Sequence, residues 1–215
     1  MAIVPRCTQR AKLFDFLFKA NTMNKTSYLH QTFGLDGRTA LVTGSARGIG
    51  LSIATALGNA GARVIINDLR SAACDEAVAG LQAQGIEARG ASFDVSDHAA
   101  VQAAHQQLLA EHWDVDILIN NAGVIPTVGP ADGCNSAELS GALRVGLEST
   151  ILLTAGFLRA TRSWQADRRV LNISSGLGRR AMAGSAVYCA VKAAMDHFSR
   201  AVALDESHRT GNSGG

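Results

Sequence analysis

Aromatic residues make up only 5% of this 215-residue chain: seven Phe, two Trp and two Tyr. That is too few for the stacking platforms that hold unpaired bases. Cysteine is also scarce. Cys7, Cys74, Cys134 and Cys189 are scattered, without CxxC or Cys/His ligand spacing, so no zinc site is expected, and free thiols in a reducing cytoplasm are. No run of 18 apolar residues occurs, so no membrane span is expected. An excess of one charge is missing too. The net charge is +2, but residues 1–33 carry Arg6, Arg10, Lys12, Lys19 and Lys25 against Asp15 alone. The rest of the chain is therefore slightly acidic and offers no basic footprint for nucleic acid. Residues 13–20 are too short and interrupted for a secretory signal. Residues 1–33 read as a disordered N-terminal extension, with Met23 an alternative start; their basic, acid-poor composition also suits a transit peptide.

What is present is a chain 47% hydrophobic and 18% charged, with 22 glycines, the make-up of one α/β domain with a substantial core. From residue 34 onward, short apolar runs alternate with helical patterns. Strands are predicted at 39–43, 63–67, 87–93, 115–119 and 169–173. Helices are predicted at 48–59, 71–84, from an N-cap at Ser96 to about 112, at about 135–162, and at 185–205. Strands separated by helices imply a doubly wound parallel sheet, Rossmann-like, over 34–205. Residues 206–215 lose periodicity and read as a frayed polar tail.

Thr43-Gly44-Ser45-Ala46-Arg47-Gly48-Ile49-Gly50 follows the first strand and opens the first helix. Gly44 permits a tight turn, and Gly48 and Gly50 let backbone approach a pyrophosphate at the helix N-terminus. A plain tight turn would carry the same pattern. Asp68 ends the second strand, where a carboxylate can accept bonds from an adenosine ribose and repel a 2′-phosphate. That favours NAD, while Arg47 or Arg70 could attract the 2′-phosphate and admit NADP. Asp94 suits either an adenine amine or the turn into a helix. Asn120-Asn121-Ala122-Gly123 ends the fourth strand, at the sheet edge where such folds bind ligands; an asparagine turn is the plainer reading.

Ser174-Ser175 end the fifth strand at the same edge. Tyr188 and Lys192 are four apart, on one face of a helix. An ammonium beside a phenol favours the phenolate, which makes the tyrosine usable as acid or base. Taken alone, the pair would also suit an ordinary amphipathic helix.

In combination these motifs resemble the short-chain dehydrogenase/reductase family, from about residue 34 to 203. The resemblance rests on Thr43–Gly50, Asp68, Asp94-Val95, residues 120–123, and Ser175 with Tyr188-x-x-x-Lys192. It implies Tyr188 as acid/base and Ser175 as the group that orients the carbonyl. Lys192 is implied to favour the phenolate and bind the nicotinamide ribose. Thr43, Gly44, Arg47, Gly48, Ile49, Gly50, Asp68, Asp94, Val95, Asn121, Ala122, Gly123, Tyr188 and Lys192 are implied to hold NAD(P). A small carbonyl or alcohol substrate is implied, with a homodimer or homotetramer formed through the two long helices.

Two features depart from the pattern. Gly146 stands where the family usually has an asparagine that helps hold a relay water, which predicts slower turnover. Only 23 residues follow Lys192, too few for the family's last strands and substrate loop. A weakly active or inactive relative that binds nucleotide or associates with partners is the alternative reading.

Overall fold

A computed structural model describes residues 30, 32–161 and 168–211. The expected N-terminal extension and the last four residues of the expected tail therefore lie almost wholly outside the described residues. Contacts divide the chain into residues 1–35 and 36–215. The second unit holds the sheet and the helices around it.

Its elements run β1 (Thr39–Val42), α1 (Gly48–Asn59), β2 (Arg63–Ile66), α2 (Ser71–Gln82), β3 (Ala88–Gly90), α3 (His98–Ala110) and β4 (Ile117–Asn120). A helical stretch follows as α4 (Ser136–Leu143), a π turn (Arg144–Glu148) and α5 (Ser149–Ala160). The last elements are β5 (Arg169–Asn172), a 3₁₀ turn (Gly176–Gly178) and α6 (Ala186–Gly211). The sheet is wholly parallel, in the order β3-β2-β1-β4-β5. The chain winds outward from β1 to β3, then returns to β4 on the other side of β1. This reversal opens a crevice beyond the carboxyl ends of β1 and β4.

The central strands are apolar on both faces because helices cover both. Every residue of β1 and β4 is buried. Ile65 and Ile66 are both 0% exposed, each burial being worth about 1.5–3 kcal/mol. Alternation sends Leu41, Ile65 and Leu118 to one face, where they meet Leu108 of α3 and Leu153 and Phe157 of α5. The stretch Ser136–Ala160 is long and apolar enough, by length and composition, to cross a membrane. Here it buries Leu153 and Phe157 in the core. At the sheet's opposite end, Trp113 has the guanidinium carbons of Arg63 and Arg89 at 4.6 and 5.5 Å from its ring centre.

Several boundaries differ from the sequence expectation. The third strand is only Ala88–Gly90, because Asp94 and Ser96 close a turn instead: Asp94 Oδ1 accepts from the Ser96 amide and hydroxyl, both at 2.8 Å. With Ser96 engaged, Asp97 caps α3, accepting from the amides of Ala99 and Ala100. The helix expected over 135–162 is interrupted by the π turn, which inserts one residue into the hydrogen-bond ladder. The final helix does not stop at 205 but continues to Gly211. β5 is the sheet's edge among the described strands, with Arg169 and Leu171 exposed.

Candidate active site

The loop after β1 is tied down from three sides. The Thr43 hydroxyl donates to the Ile119 carbonyl and accepts from the amides of Asn121 and Ala122, each at 3.0 Å. Asn121 Nδ2 donates to the carbonyls of Thr43 and Gly44 at 2.9 and 3.0 Å. Asn67 joins the clamp: its Oδ1 accepts from the Gly44 amide, and its Nδ2 donates to the carbonyls of Ala91 and Phe93. Thr43, Asn67 and Asn121 thereby fix the ends of β1, β2 and β4 and the loop after β3. Asn67 was not among the expected site residues; it reads as the last residue of an apolar strand and carries no loop pattern.

The glycines of this loop do different things. Gly44 and Gly48 have φ of +59° and +58°, the left-handed region. A Cβ on Gly48 would meet nothing within 4 Å, so open space lies over that backbone. Gly50 corrects the expectation of a ligand-facing glycine. It is buried, and a Cβ there would lie 2.5 Å from the Gly44 carbonyl oxygen, 2.6 Å from Asn121 Nδ2 and 2.7 Å from Ser45 Cα. Its bareness serves the packing of α1 on its own loop.

Beyond the clamp opens a cleft of about 400 Å³. Gly44, Arg47, Asp68, Asp94, Val95, Asn121, Ala122 and Gly123, eight of the expected cofactor residues, line it together. Asn67, Leu69, Arg70 and Val145 add to its wall. Asp68 accepts from the Arg70 amide at 3.2 Å, and the Arg70 Nε is 3.7 Å from the same oxygen. Arg70 is 67% exposed and Asp68 16%, so the carboxylate is the more buried member of the pair. Val95 belongs mainly to the core, at 8% exposed. Ile49, 67% exposed, projects from the first turn of α1 and does not line this cleft. The residues fit a dinucleotide: an open backbone at Gly48, the N-terminus of α1, and a carboxylate at the end of β2.

The second half of the site is built by α6. Lys192 is 5% exposed, and its Nζ donates to the Ile173 carbonyl at 2.7 Å. The Ser174 hydroxyl reaches the Lys192 carbonyl at 3.5 Å. A Cβ on Gly178 would lie 3.0 Å from the Lys192 carbonyl group, so the turn that begins at Ser175 rests directly on α6. Ser175 Oγ accepts from the Leu177 amide at 3.2 Å, which orients it. The Tyr188 ring centre is 5.7 Å from Lys192 Nζ. Burial pushes the Lys192 pKa below its usual value, partly offset by the carboxylate of Asp196. Tyr188 lines a second cleft, of about 410 Å³, between the segment 125–138 and the start of α6.

Gly146 lies inside the π turn and is buried. A Cβ there would come within 2.8 Å of Val191 Cγ1, so the space a side chain would use is filled by the residue next to Lys192. Bare glycine at 146 is thus a packing partner of α6 rather than a plain loss of a side chain.

The parallel sheet and the glycine loop clamped at its carboxyl edge define a doubly wound, Rossmann-like fold. The chain belongs to the short chain dehydrogenase family, whose model matches residues 38–210. It is 33% identical over 171 residues to a sorbitol dehydrogenase of Cereibacter sphaeroides, a match covering 80% of this chain and 65% of that protein. It is 32% identical over 173 residues to a gluconate 5-dehydrogenase of Gluconobacter oxydans, covering 80% and 67%. Among solved structures, a gluconate 5-dehydrogenase from Burkholderia cenocepacia in complex with NADP and tartrate superposes with a TM-score of 0.77 at 33% identity, covering 82% of this chain and 68% of that one. The chain thus spans about two thirds of the length of these relatives.

Proposed function

We propose that this protein is an NAD(P)-dependent oxidoreductase that interconverts a secondary alcohol and a ketone. The observation that carries this reading is that the turn at Ser175 and the buried Lys192 meet through Ile173, Ser174 and Gly178, with Tyr188 one turn away. When bound, the nicotinamide cofactor supplies or accepts the hydride. The chain's own groups handle the oxygen. Ser175 holds the substrate oxygen. Tyr188 gives its phenolic proton to that oxygen as a ketone is reduced, and takes it back from the alcohol in the reverse direction. The cation of Lys192 favours the charge left on the phenol oxygen.

Asp68 supports a preference for NAD, since its carboxylate lines the cleft and would repel a 2′-phosphate. Arg47 and Arg70 in the same cleft make NADP the second choice. The exposed small residues Ala190, Ala193 and Ala201 support self-association through α6. A cytoplasmic location accords with the free thiols of Cys74, Cys134 and Cys189. The rival reading, a relative that binds nucleotide without turnover, draws on Val191 filling the space beside Gly146.

Nicotinamide fluorescence titrations with NADH and NADPH test the cofactor assignment. Wild type should bind NADH more tightly, and Asp68→Ala should narrow or reverse the gap. Equal binding by wild type, or a gap unchanged in Asp68→Ala, would refute Asp68 as the discriminator. Absence of binding to either would refute the oxidoreductase reading itself.

A further inference from the structure

The cleft beside Tyr188 also carries information about the substrate. Its charged lining consists of one residue, Glu138; no lysine or arginine lines it among the described residues. The carboxylate is held in place. Thr127 donates its hydroxyl to Glu138 Oε1 at 2.6 Å, and the Glu138 amide donates to the Asn135 side chain at 2.8 Å, which caps α4. The tether therefore joins the loop after β4 to the first turn of α4 across the cleft wall. Glu138 is half-buried, so its charge is less screened than a fully exposed one. Ile125, Pro126, Pro130 and Val187 give the remaining wall an apolar character. Arg179 and Arg180 follow the serine turn but do not line this cleft; Arg179 Nε instead lies 3.7 Å from Asp196.

We infer that Glu138 selects a neutral, hydroxyl-rich substrate, a polyol or the ketose derived from it, over a substrate that bears a carboxylate. A carboxylate accepts hydrogen bonds and cannot donate them. A ligand group that faces Glu138 must therefore bring a donor, which a hydroxyl supplies. An anionic substrate meets a like charge with no cation lining the cleft to offset it. A plain structural role, tying the loop to α4, is the competing explanation, and it makes no reference to substrate charge. The inference rests on the oxidoreductase reading above.

The test compares a hexitol with the hexonate of the same chain length, using the full 215-residue protein. Saturation-transfer NMR in the presence of cofactor gives binding, and initial rates give kcat/KM. Wild type should favour the hexitol in both. Glu138→Gln keeps an oxygen that accepts from Thr127 but removes the charge, and should shift the hexitol-to-hexonate ratio toward the hexonate on the order of tenfold. Thr127→Val breaks the tether and keeps the charge, so its ratio should stay near that of wild type. A wild-type preference for the hexonate, a ratio unmoved in Glu138→Gln, or an equal shift in Thr127→Val would each overturn the inference. Binding of neither sugar would overturn it as well. NADH titration of the same samples reports separately on the oxidoreductase reading.

Discussion

Replacing Gly50 by alanine should unsettle the nucleotide loop from beneath. The new methyl group would lie 2.5 Å from the Gly44 carbonyl oxygen, 2.6 Å from Asn121 Nδ2 and 2.7 Å from Ser45 Cα. None of these atoms is free to yield. The Gly44 carbonyl accepts from Asn121, the Ser45 hydroxyl donates to Val42 at 2.6 Å, and the Ser45 amide donates to the Asn67 carbonyl at 2.7 Å. Overpacking of this kind costs about 1–3 kcal/mol, and three simultaneous contacts place Gly50 toward the upper end. Alanine's better helix propensity returns at most about 1 kcal/mol, and less in a first turn. The expected net loss is about 2 kcal/mol, a fall in Tm of about 4–8 °C for a domain of this size. Gly80→Ala is the control. Gly80 is exposed within α2 with nothing within 4 Å of its Cβ position, so alanine there should stabilise by about 0.4–1 kcal/mol. Thermal melts and NADH titrations check both variants. A Gly50→Ala protein that melts with wild type and binds NADH equally would refute the packing argument.

Three other outcomes follow from the same geometry. Gly146→Asn should destabilise by about 1–3 kcal/mol through its clash with Val191. Adding Val191→Ala should recover part of that loss, and a chemical-denaturation double-mutant cycle would read the coupling. The depressed pKa of Lys192 has a signed consequence. Below its folded pKa both states hold the proton and the burial penalty is full; between that value and the ordinary 10.5 only the unfolded state holds it, so stability rises with pH. Lys192→Met should flatten this alkaline rise in denaturation curves, and an unchanged rise would assign it elsewhere.

The sheet was legible because its central strands are uninterrupted apolar runs bounded by glycine or asparagine. The two halves of the site were legible because motif spacing survives without coordinates: eight expected residues line one cleft, and Ser175 and Lys192 converge at the end of β5. What escaped depends on contacts distant in sequence. Gly50 looked like a ligand-facing glycine because a pattern cannot separate approach by a ligand from approach by Ser45 and Asn121. Ser96 and Asp97 are both good caps, and only the Asp94 turn decides between them. The π turn at 144–148 leaves no mark in Arg-Val-Gly-Leu-Glu, since a one-residue insertion barely shifts the apolar period. Residues 206–211 are polar and carry no apolar period to mark them as helix, yet they continue α6. Glu138 had a local signal, an acid three residues after Asn135 at a helix start; its place in the cleft did not.

The most direct measurement is turnover of a secondary alcohol by purified wild-type and Tyr188→Phe protein, with NADH binding recorded on the same samples. The variant should bind NADH as wild type does while its turnover falls by about 10²-fold or more, the usual contribution of a positioned acid/base. Equal turnover by the two proteins would contradict the assignment of Tyr188, and NADH binding without turnover by wild type would favour the nucleotide-binding rival.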